Sequence, residues 1–346
     1  MTVRRLLPPE SQIISRIRRI TQKRRSFQDR LILSIGDDAA AFRPQPGYLL
    51  LVSSDALIEG VHFEKELTSA EALGWKALAV NLSDIAAMGG NPLYATTTLG
   101  IPAATSPRFI AGFYRGLNRL ASKHGVVIVG GDTCSSPKAL FIDLTILGEV
   151  KPRQLLTRSG AKPGDVLFVT GTLGESAIGL ELLKTKTKAS RSHNHYIERH
   201  LRPSPRLVIG RYLSSHQIAS ALIDISDGLS TDLHHLCEQS QVGAVIEGSQ
   251  IPHPKLSAAM KEELAKSPMN YALNGGEDYE LLFAVPSQKT YLVPSHIKGI
   301  PVHAIGKITG QKGICSIKEA TRTHRLPAAG FDHFKNSQSS DHQKYG

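Results

Sequence analysis

Short apolar runs that end in an acidic residue constrain this chain more than any other feature, because they alternate with segments of helical periodicity. Three runs rich in Val, Ile and Leu predict strands: 48–55, 126–132 and 139–150. Two segments predict helices, 69–89 opened by Ser69 and 106–125 closed by Gly125. This alternation predicts an α/β or α+β fold.

The length of 346 residues allows two domains with substantial cores. After Val150 the segment KPRQLLTRSGAKPGD carries two prolines and little apolar periodicity, which is typical of an interdomain connection. A new strand-turn-helix pattern, VLFVTGTLGESAIGLELL, follows it. We therefore predict domains at 1–150 and 151–334, followed by a disordered tail at 335–346.

Acidic residues follow apolar runs and small residues in both predicted domains, and the adjacent pair Asp37 and Asp38 in LILSIGDDAAAF is the first of them. The others are Asp55, Asp84, Asp132, Asp224, Asp227, Glu277 and Asp278. Taken alone, each is a common turn or capping residue. The repeated pattern favours a functional role, because two carboxylates a few ångströms apart repel unless water or a cation lies between them.

If these carboxylates converge together with the hydroxyls of Ser53 and Ser54, the ligand set contains only oxygen. Such a set favours Mg²⁺ over zinc or copper, and magnesium sites are commonly completed by substrate phosphates. A net charge of +11 provides a basic background that attracts anions. The residues thus predict a magnesium–nucleotide site, although neither a Walker sequence nor the protein-kinase HRD and DFG signatures occur.

Composition also bears on location and on partners. The three cysteines form no CxxC pair, which argues against a disulfide framework and a zinc site and favours a reducing cytoplasm. No apolar run approaches membrane-spanning length, so we expect no membrane association. The basic stretch 16–25 has isoleucines at helical spacing and no interleaved aromatic residues, which favours a solvated helix face over a nucleic-acid site.

A series of motifs between residues 35 and 282 carries a resemblance to a known family. In order they are IGDD, SSD, GVHF, NLSD, AAMG, GGDT, LTRSGAKPGD, HLRPSPR, DISDGL and GGEDYEL. Together they resemble the bacterial thiamine-monophosphate kinases, which belong to the ATP-binding superfamily of aminoimidazole ribonucleotide synthetase and selenophosphate synthetase.

The resemblance implies a two-domain fold like that of aminoimidazole ribonucleotide synthetase, with an N-terminal sheet domain that forms the interface of a homodimer and a C-terminal α/β domain. It implies transfer of the γ-phosphate of ATP to thiamine monophosphate, giving thiamine diphosphate, with several Mg²⁺ ions. We expect no catalytic nucleophile or general base, because phosphoryl transfer depends on positioning and charge neutralisation and the acceptor is already anionic.

Site residues carried over by the resemblance fall into three groups. The predicted metal ligands are Asp38, Ser53, Ser54, Asp55, Asp84, Asp132, Asp224 and Asp227, with Asp37 bracing the turn or lying outside the ligand set. The predicted ATP contacts are Tyr114, Gly131, Asp132, Arg158 and Ser226. The predicted contacts to thiamine monophosphate are His62, Glu277 and Phe331.

Two alternatives remain open from the sequence. Another member of the superfamily, such as a ligase like aminoimidazole ribonucleotide synthetase, would share the ATP chemistry and use a different acceptor. A basic nucleic-acid-binding protein would use the 16–25 stretch, and its binding would weaken steeply with salt. The selenophosphate synthetases fit less well, because that group is expected to have a reactive Cys or selenocysteine near the N-terminus and the first cysteine here is Cys134.

Overall fold

The computed structural model describes residues 19–20, 30–33, 41–185 and 191–331. Asp37, Asp38, most of the basic stretch 16–25 and the predicted tail 335–346 lie outside these ranges. The chain divides into two units: the first comprises Met1–Leu155 and Leu201–His216, and the second comprises Leu156–His200 and Gln217–Gly346. The segment Leu201–His216 thus belongs to the first unit, and the predicted domain limits at 150 and 334 stay predictions.

The described strands and helices follow one another in mixed order along the chain. The strands are β1 Leu31–Leu33, β2 Ala41–Phe42, β3 Leu49–Ile58, β4 Asn91–Pro102, β5 Val127–Ser136, β6 Phe141–Val150, β7 Val166–Thr170, β8 Ala221–Ile225, β9 Gly243–Glu247, β10 Glu280–Val285, β11 His296–Ile297, β12 Ile300–Thr309, β13 Cys315–Glu319 and β14 Arg322–Arg325. The helices are α1 Ala70–Ala87, α2 Pro107–His124, α3 Glu175–Lys184, α4 Arg191–Leu201, α5 Leu207–Ser215, α6 Leu229–Ser240, α7 Ala258–Glu263 and α8 Pro268–Asn274.

The first unit is built on a four-stranded sheet in the order β3-β6-β4-β5, in which only the β4–β5 pair is parallel. Helix α1 contacts β3 and β6 and packs against α2 and α5. The Ser69 hydroxyl accepts a hydrogen bond from the Ala72 N–H at 3.1 Å, and Gly125 ends α2 in the left-handed conformation. The sequence-based strands and helices of this unit are therefore confirmed, including both helix caps.

The second unit is built on an eight-stranded sheet in the order β14-β13-β9-β12-β7-β10-β8, with β11 paired to β12. Helix α6 packs on this sheet through Leu229, Leu233 and Leu236, which recur at helical spacing and are fully buried. All five residues of β8 are buried, so the run ALIDI reads as continuously apolar except for Asp224. The loop after β8 therefore leads directly from the sheet to the start of α6.

Within the ranges that the structure describes, none of the helices combines the length and the apolar character needed to cross a membrane.

Candidate functional site

The predicted metal ligands Ser53, Asp55 and Asp84 lie together in the first unit. Ser53 and Asp55 occupy alternate positions of β3 and point to the side that α1 covers. The Ser53 hydroxyl donates a hydrogen bond to Asp84 Oδ2. Burial, followed by the charge and hydrogen bond of Asp84, raises the pKa of Asp55 to about 7. The structure thus gathers two carboxylates and a hydroxyl in a partly desolvated place.

A second polar group of the first unit lies on the opposite face of the same sheet. The Ser54 hydroxyl donates to Asp143 Oδ1 at 3.0 Å. Asp143 on β6 and Asp132 on β5 are both paired with Thr98 of β4, so their side chains share one face. Asp132 is exposed, and its Oδ1 accepts from the Thr133 N–H at 2.8 Å. The predicted ligands of this unit that lie in the described ranges therefore divide between the two faces of the sheet.

Three other predicted residues of the first unit have different environments. A Cβ atom added at Gly131 would lie 2.0 Å from the Thr97 carbonyl oxygen, so the backbone there requires glycine. Tyr114 is 3% exposed, and burial raises the pKa of its phenol. His62 Nδ1 accepts a hydrogen bond from the Ile58 N–H at 3.0 Å, which places the proton of the neutral imidazole on Nε2.

In the second unit, backbone hydrogen bonds join Glu277 and Phe331 to the loop after β8, which carries Ser226 and Asp227. The Glu277 N–H donates to the Ser226 carbonyl at 2.7 Å, and the Phe331 N–H donates to the Asp227 carbonyl at 3.0 Å. The structure therefore brings Ser226, Asp227, Glu277 and Phe331 together, although they come from three separate segments. Phe331 is 40% exposed.

Asp224 and Arg158 are the remaining predicted residues of the second unit. Asp224 is buried within β8, paired with Leu281 of β10. Arg158 is exposed, and its carbonyl accepts a hydrogen bond from the Ser240 hydroxyl at 2.8 Å. Asp224 thus precedes the loop of Ser226 and Asp227 along a buried strand, whereas the Arg158 guanidinium is open to solvent.

The Glu277 carboxylate is supported by α4. Its Oε2 lies 3.3 Å from His200 Nδ1, and that nitrogen lies 3.1 Å from Ser176 Oγ. Glu277 itself has a left-handed backbone, with φ of 66°, which is uncommon outside glycine. The adjacent Asp278 accepts the Gly174 and Ser176 N–H groups at 2.6 and 3.1 Å, and its burial raises its pKa to about 7.

Sequence reasoning missed Asp143 and His200 of these groups, and it also missed Asp232, whose carboxylate accepts backbone hydrogen bonds from the loop after β8. Asp143 carries a weak signal, an acid inside the alternating strand pattern FIDLTILGEV. Asp232 reads only as an acid in the first turn of a helix. His200 has no local signal at all, because its partner Glu277 lies far along the chain.

Comparisons with known proteins match both parts of the chain. Residues 36–150 match the family AIR synthase related protein, N-terminal domain, and residues 162–317 match AIR synthase related protein, C-terminal domain. Thiamine-monophosphate kinase of Bacillus subtilis strain 168 is 38% identical over 313 residues, which cover 88% of this chain and 94% of that protein. The chain belongs to the thiamine-monophosphate kinase family.

Solved structures of the thiamine-monophosphate kinase family share the fold of this chain. The enzyme from Stenotrophomonas maltophilia K279a matches with a TM-score of 0.77 at 36% identity, covering 91% of this chain and 98% of that one. The structure named AaThiL complexed with AMPPCP and TMP matches with a TM-score of 0.75 at 34% identity, covering 85% and 90% of the two chains. The predicted family and the predicted two-domain α/β fold are confirmed, whereas the dimer interface stays a prediction.

Proposed function

We propose that this chain transfers the γ-phosphoryl group of ATP to thiamine monophosphate, giving thiamine diphosphate and ADP. The observation that carries the proposal is the 34% identity and common fold with AaThiL, a protein whose structure is named as a complex with AMPPCP and TMP. The carboxylate-rich groups of both units agree with a reaction that depends on positioning and charge neutralisation.

Magnesium is part of the proposal, and the donor set of the first unit fits it. Ser53, Asp55 and Asp84 offer only oxygen atoms, which Mg²⁺ prefers. The raised pKa of Asp55 reflects burial and then repulsion from Asp84, and a nearby cation would favour the charged form against both. When bound, Mg²⁺ neutralises charge on the transferring phosphoryl group. The family resemblance adds Asp38, Ser54, Asp132, Asp224 and Asp227 as metal ligands.

The remaining predicted residues are assigned to the binding of ATP and of thiamine monophosphate. Arg158 suits the ATP phosphates, because its guanidinium is exposed and can bond two phosphate oxygens at once. Ser226, Gly131, Asp132 and Tyr114 complete the ATP contacts of the proposal. For thiamine monophosphate, the Glu277 carboxylate would balance the cationic thiazolium ring, Phe331 would offer an exposed aromatic face, and His62 would be a further contact.

A homodimer and a cytoplasmic location complete the proposal. Leu50 and Val52 are large apolar residues on one face of β3, with 45% and 66% of their surface exposed. Exposed apolar groups on a sheet face favour contact with a second protein surface, here a second copy of this chain. The three cysteines are all free, which suits a reducing compartment.

The test is an assay of purified protein for ATP consumption and for the phosphorylated product. We expect ADP and thiamine diphosphate in equal amounts, and only when thiamine monophosphate and Mg²⁺ are both present. ADP formation that depends instead on a formylglycinamidine ribonucleotide would support a ligase and overturn the proposal.

A further inference from the structure

The Asp232 carboxylate binds the backbone of the loop that presents Ser226 and Asp227. Its Oδ2 accepts hydrogen bonds from the N–H groups of Ser226, Asp227 and Gly228, each at 3.1 Å. Asp232 is 1% exposed, and it lies in the first turn of α6, whose N-cap residue Gly228 has no side chain to cap the helix. One carboxylate therefore accepts from three consecutive amide groups, those of Ser226 and Asp227 in the loop and that of Gly228 at the start of the helix.

The same carboxylate lies within a group that resembles a metal site. Ligand atoms of Asp227, Asp232 and His235 all lie within 4.8 Å of one another. However, Asp232 Oδ2 is already surrounded by three N–H donors, and Oδ1 lies 3.7 Å from His235 Nδ1. The three hydrogen bonds saturate Oδ2, so this oxygen of Asp232 supports the backbone of the loop and is not available to a cation.

We propose that Asp232 is a positioning residue that fixes the Ser226–Gly228 loop for Mg²⁺·ATP and, through the same loop, for thiamine monophosphate. This inference rests on the proposed function. Because the three N–H groups turn toward Asp232, the Ser226 and Asp227 carbonyls turn away from it. Those carbonyls accept the N–H groups of Glu277 and Phe331, so one carboxylate orients both the nucleotide residues and the acceptor residues of this unit.

A second consequence concerns anions. Three successive backbone N–H groups directed at one point form a concave site that commonly binds phosphate. Here the protein's own carboxylate occupies that position. Asp232 therefore keeps phosphate groups away from these amides and leaves their recognition to the side chains of the loop.

The variants Asp232→Asn and Asp232→Ala test the proposal. We expect the apparent KM values for Mg²⁺·ATP and for thiamine monophosphate to rise together, by about tenfold for Asn and more for Ala, as is common when a supporting residue of a metal site is replaced. A Glu277→Gln variant, which alters only the acceptor side, should raise the KM for thiamine monophosphate alone.

Asp165→Asn is the matched control. Asp165 is also buried in the second unit, and its Oδ2 accepts from the Lys162 N–H at 3.0 Å and from the Ser220 hydroxyl at 2.6 Å. It lies at the opposite end of the sheet, just before β7, and Ser220 precedes β8. We expect this control to lose thermal stability with unchanged KM values. Assays run well below the melting temperature of each variant remove the effect of stability.

Two readouts besides turnover complete the experiment. Calorimetric titration with the non-hydrolysable analogue AMPPCP and Mg²⁺ should show weaker binding to Asp232→Asn than to wild type. Hydrogen exchange of the wild-type protein should show slow exchange at the amides of Ser226, Asp227 and Gly228. Fast exchange there, or wild-type KM values and AMPPCP affinity in Asp232→Asn, would overturn the inference. An inactive wild type that binds AMPPCP normally would instead overturn the proposed function.

Discussion

At the scale of single residues, the raised pKa of Asp55 shows that burial beside a second carboxylate disfavours the charged form. Its folded pKa of about 7 exceeds its ordinary value of 3.8, mainly because burial and Asp84 disfavour the charged form. The folded state therefore holds this proton more tightly than the unfolded chain does. The stability that Asp55 contributes is fully present below pH 4 and is lost as the pH rises toward 7 and above.

The first prediction follows from this direction of the pH dependence of stability. In EDTA, the melting temperature of the wild type should fall as the pH rises from about 4 to 7, and Asp84→Asn should weaken that dependence and melt at the same or a higher temperature at pH 8. Scanning calorimetry across this pH range measures both effects. A markedly lower melting temperature of Asp84→Asn in EDTA would mean that Asp84 stabilises the fold, for example through its hydrogen bond from Ser53.

With Mg²⁺ and ATP, the order of the two proteins should reverse. A ligand at a hundredfold excess over its Kd stabilises the folded state by about 2.7 kcal/mol, and a variant that lacks one ligand gains less. The same calorimetry in Mg²⁺ with ATP checks this. An equal gain for Asp84→Asn would remove Asp84 from the proposed metal ligands.

The second prediction concerns the support of Glu277. His200→Phe removes the nitrogen 3.3 Å from Glu277 Oε2, so the KM for thiamine monophosphate should rise several-fold while the KM for ATP stays constant. His195→Phe is the control, because His195 lies on the same helix and contacts Glu175 at 2.9 Å instead. Steady-state kinetics with each substrate varied in turn would detect the difference, and parallel changes in both variants would count against a role for His200.

At the scale of elements, the parallel pair β4–β5 fixes the conformation around Gly131. The third prediction is that Gly131→Ala lowers the free energy of unfolding by about 1–3 kcal/mol, because its Cβ would lie 2.0 Å from the Thr97 carbonyl oxygen. The adjacent Gly130→Ala should cost less, since its Cβ would meet only Thr96 Cγ2 at 3.6 Å. Urea denaturation of both variants tests this. Equal losses would show that the backbone adapts at Gly131.

The elements also show how far sequence reasoning reaches. Helices α1 and α2 were predictable because their caps and apolar spacing are local, as were β3, β5 and β6. Two of the residues that the sequence missed depend on partners elsewhere: Asp143 on the register between β3 and β6, and His200 on a loop in a different segment. Strand register and long-range contacts are set by packing of the whole unit, which no local pattern encodes.

At the scale of the whole molecule, the exposed face of β3 leads to the fourth prediction. Val52→Lys should weaken the proposed homodimer, because a charge would be buried where an apolar side chain makes contact. Tyr291→Lys is the control, since Tyr291 is 82% exposed and lies in the second unit. Sedimentation velocity over a range of concentrations measures the dissociation constant. A monomeric wild type, or equal dissociation of both variants, would contradict the use of this face.

The return of the segment Leu201–His216 to the first unit has a consequence for synthesis of the chain. Helix α5 packs so closely on α1 that a Cβ atom at Gly210 would lie 2.0 Å from the Ala86 carbonyl oxygen. A ribosome makes the chain from its N-terminus, so α1 emerges well before α5 does. The N-terminal unit therefore waits for residue 216 to complete its packing, by which time the first 45 residues of the second unit, Leu156–His200, have already been made. Neither unit can be produced as one uninterrupted gene fragment, and the two halves of this protein are coupled by the order in which they are translated.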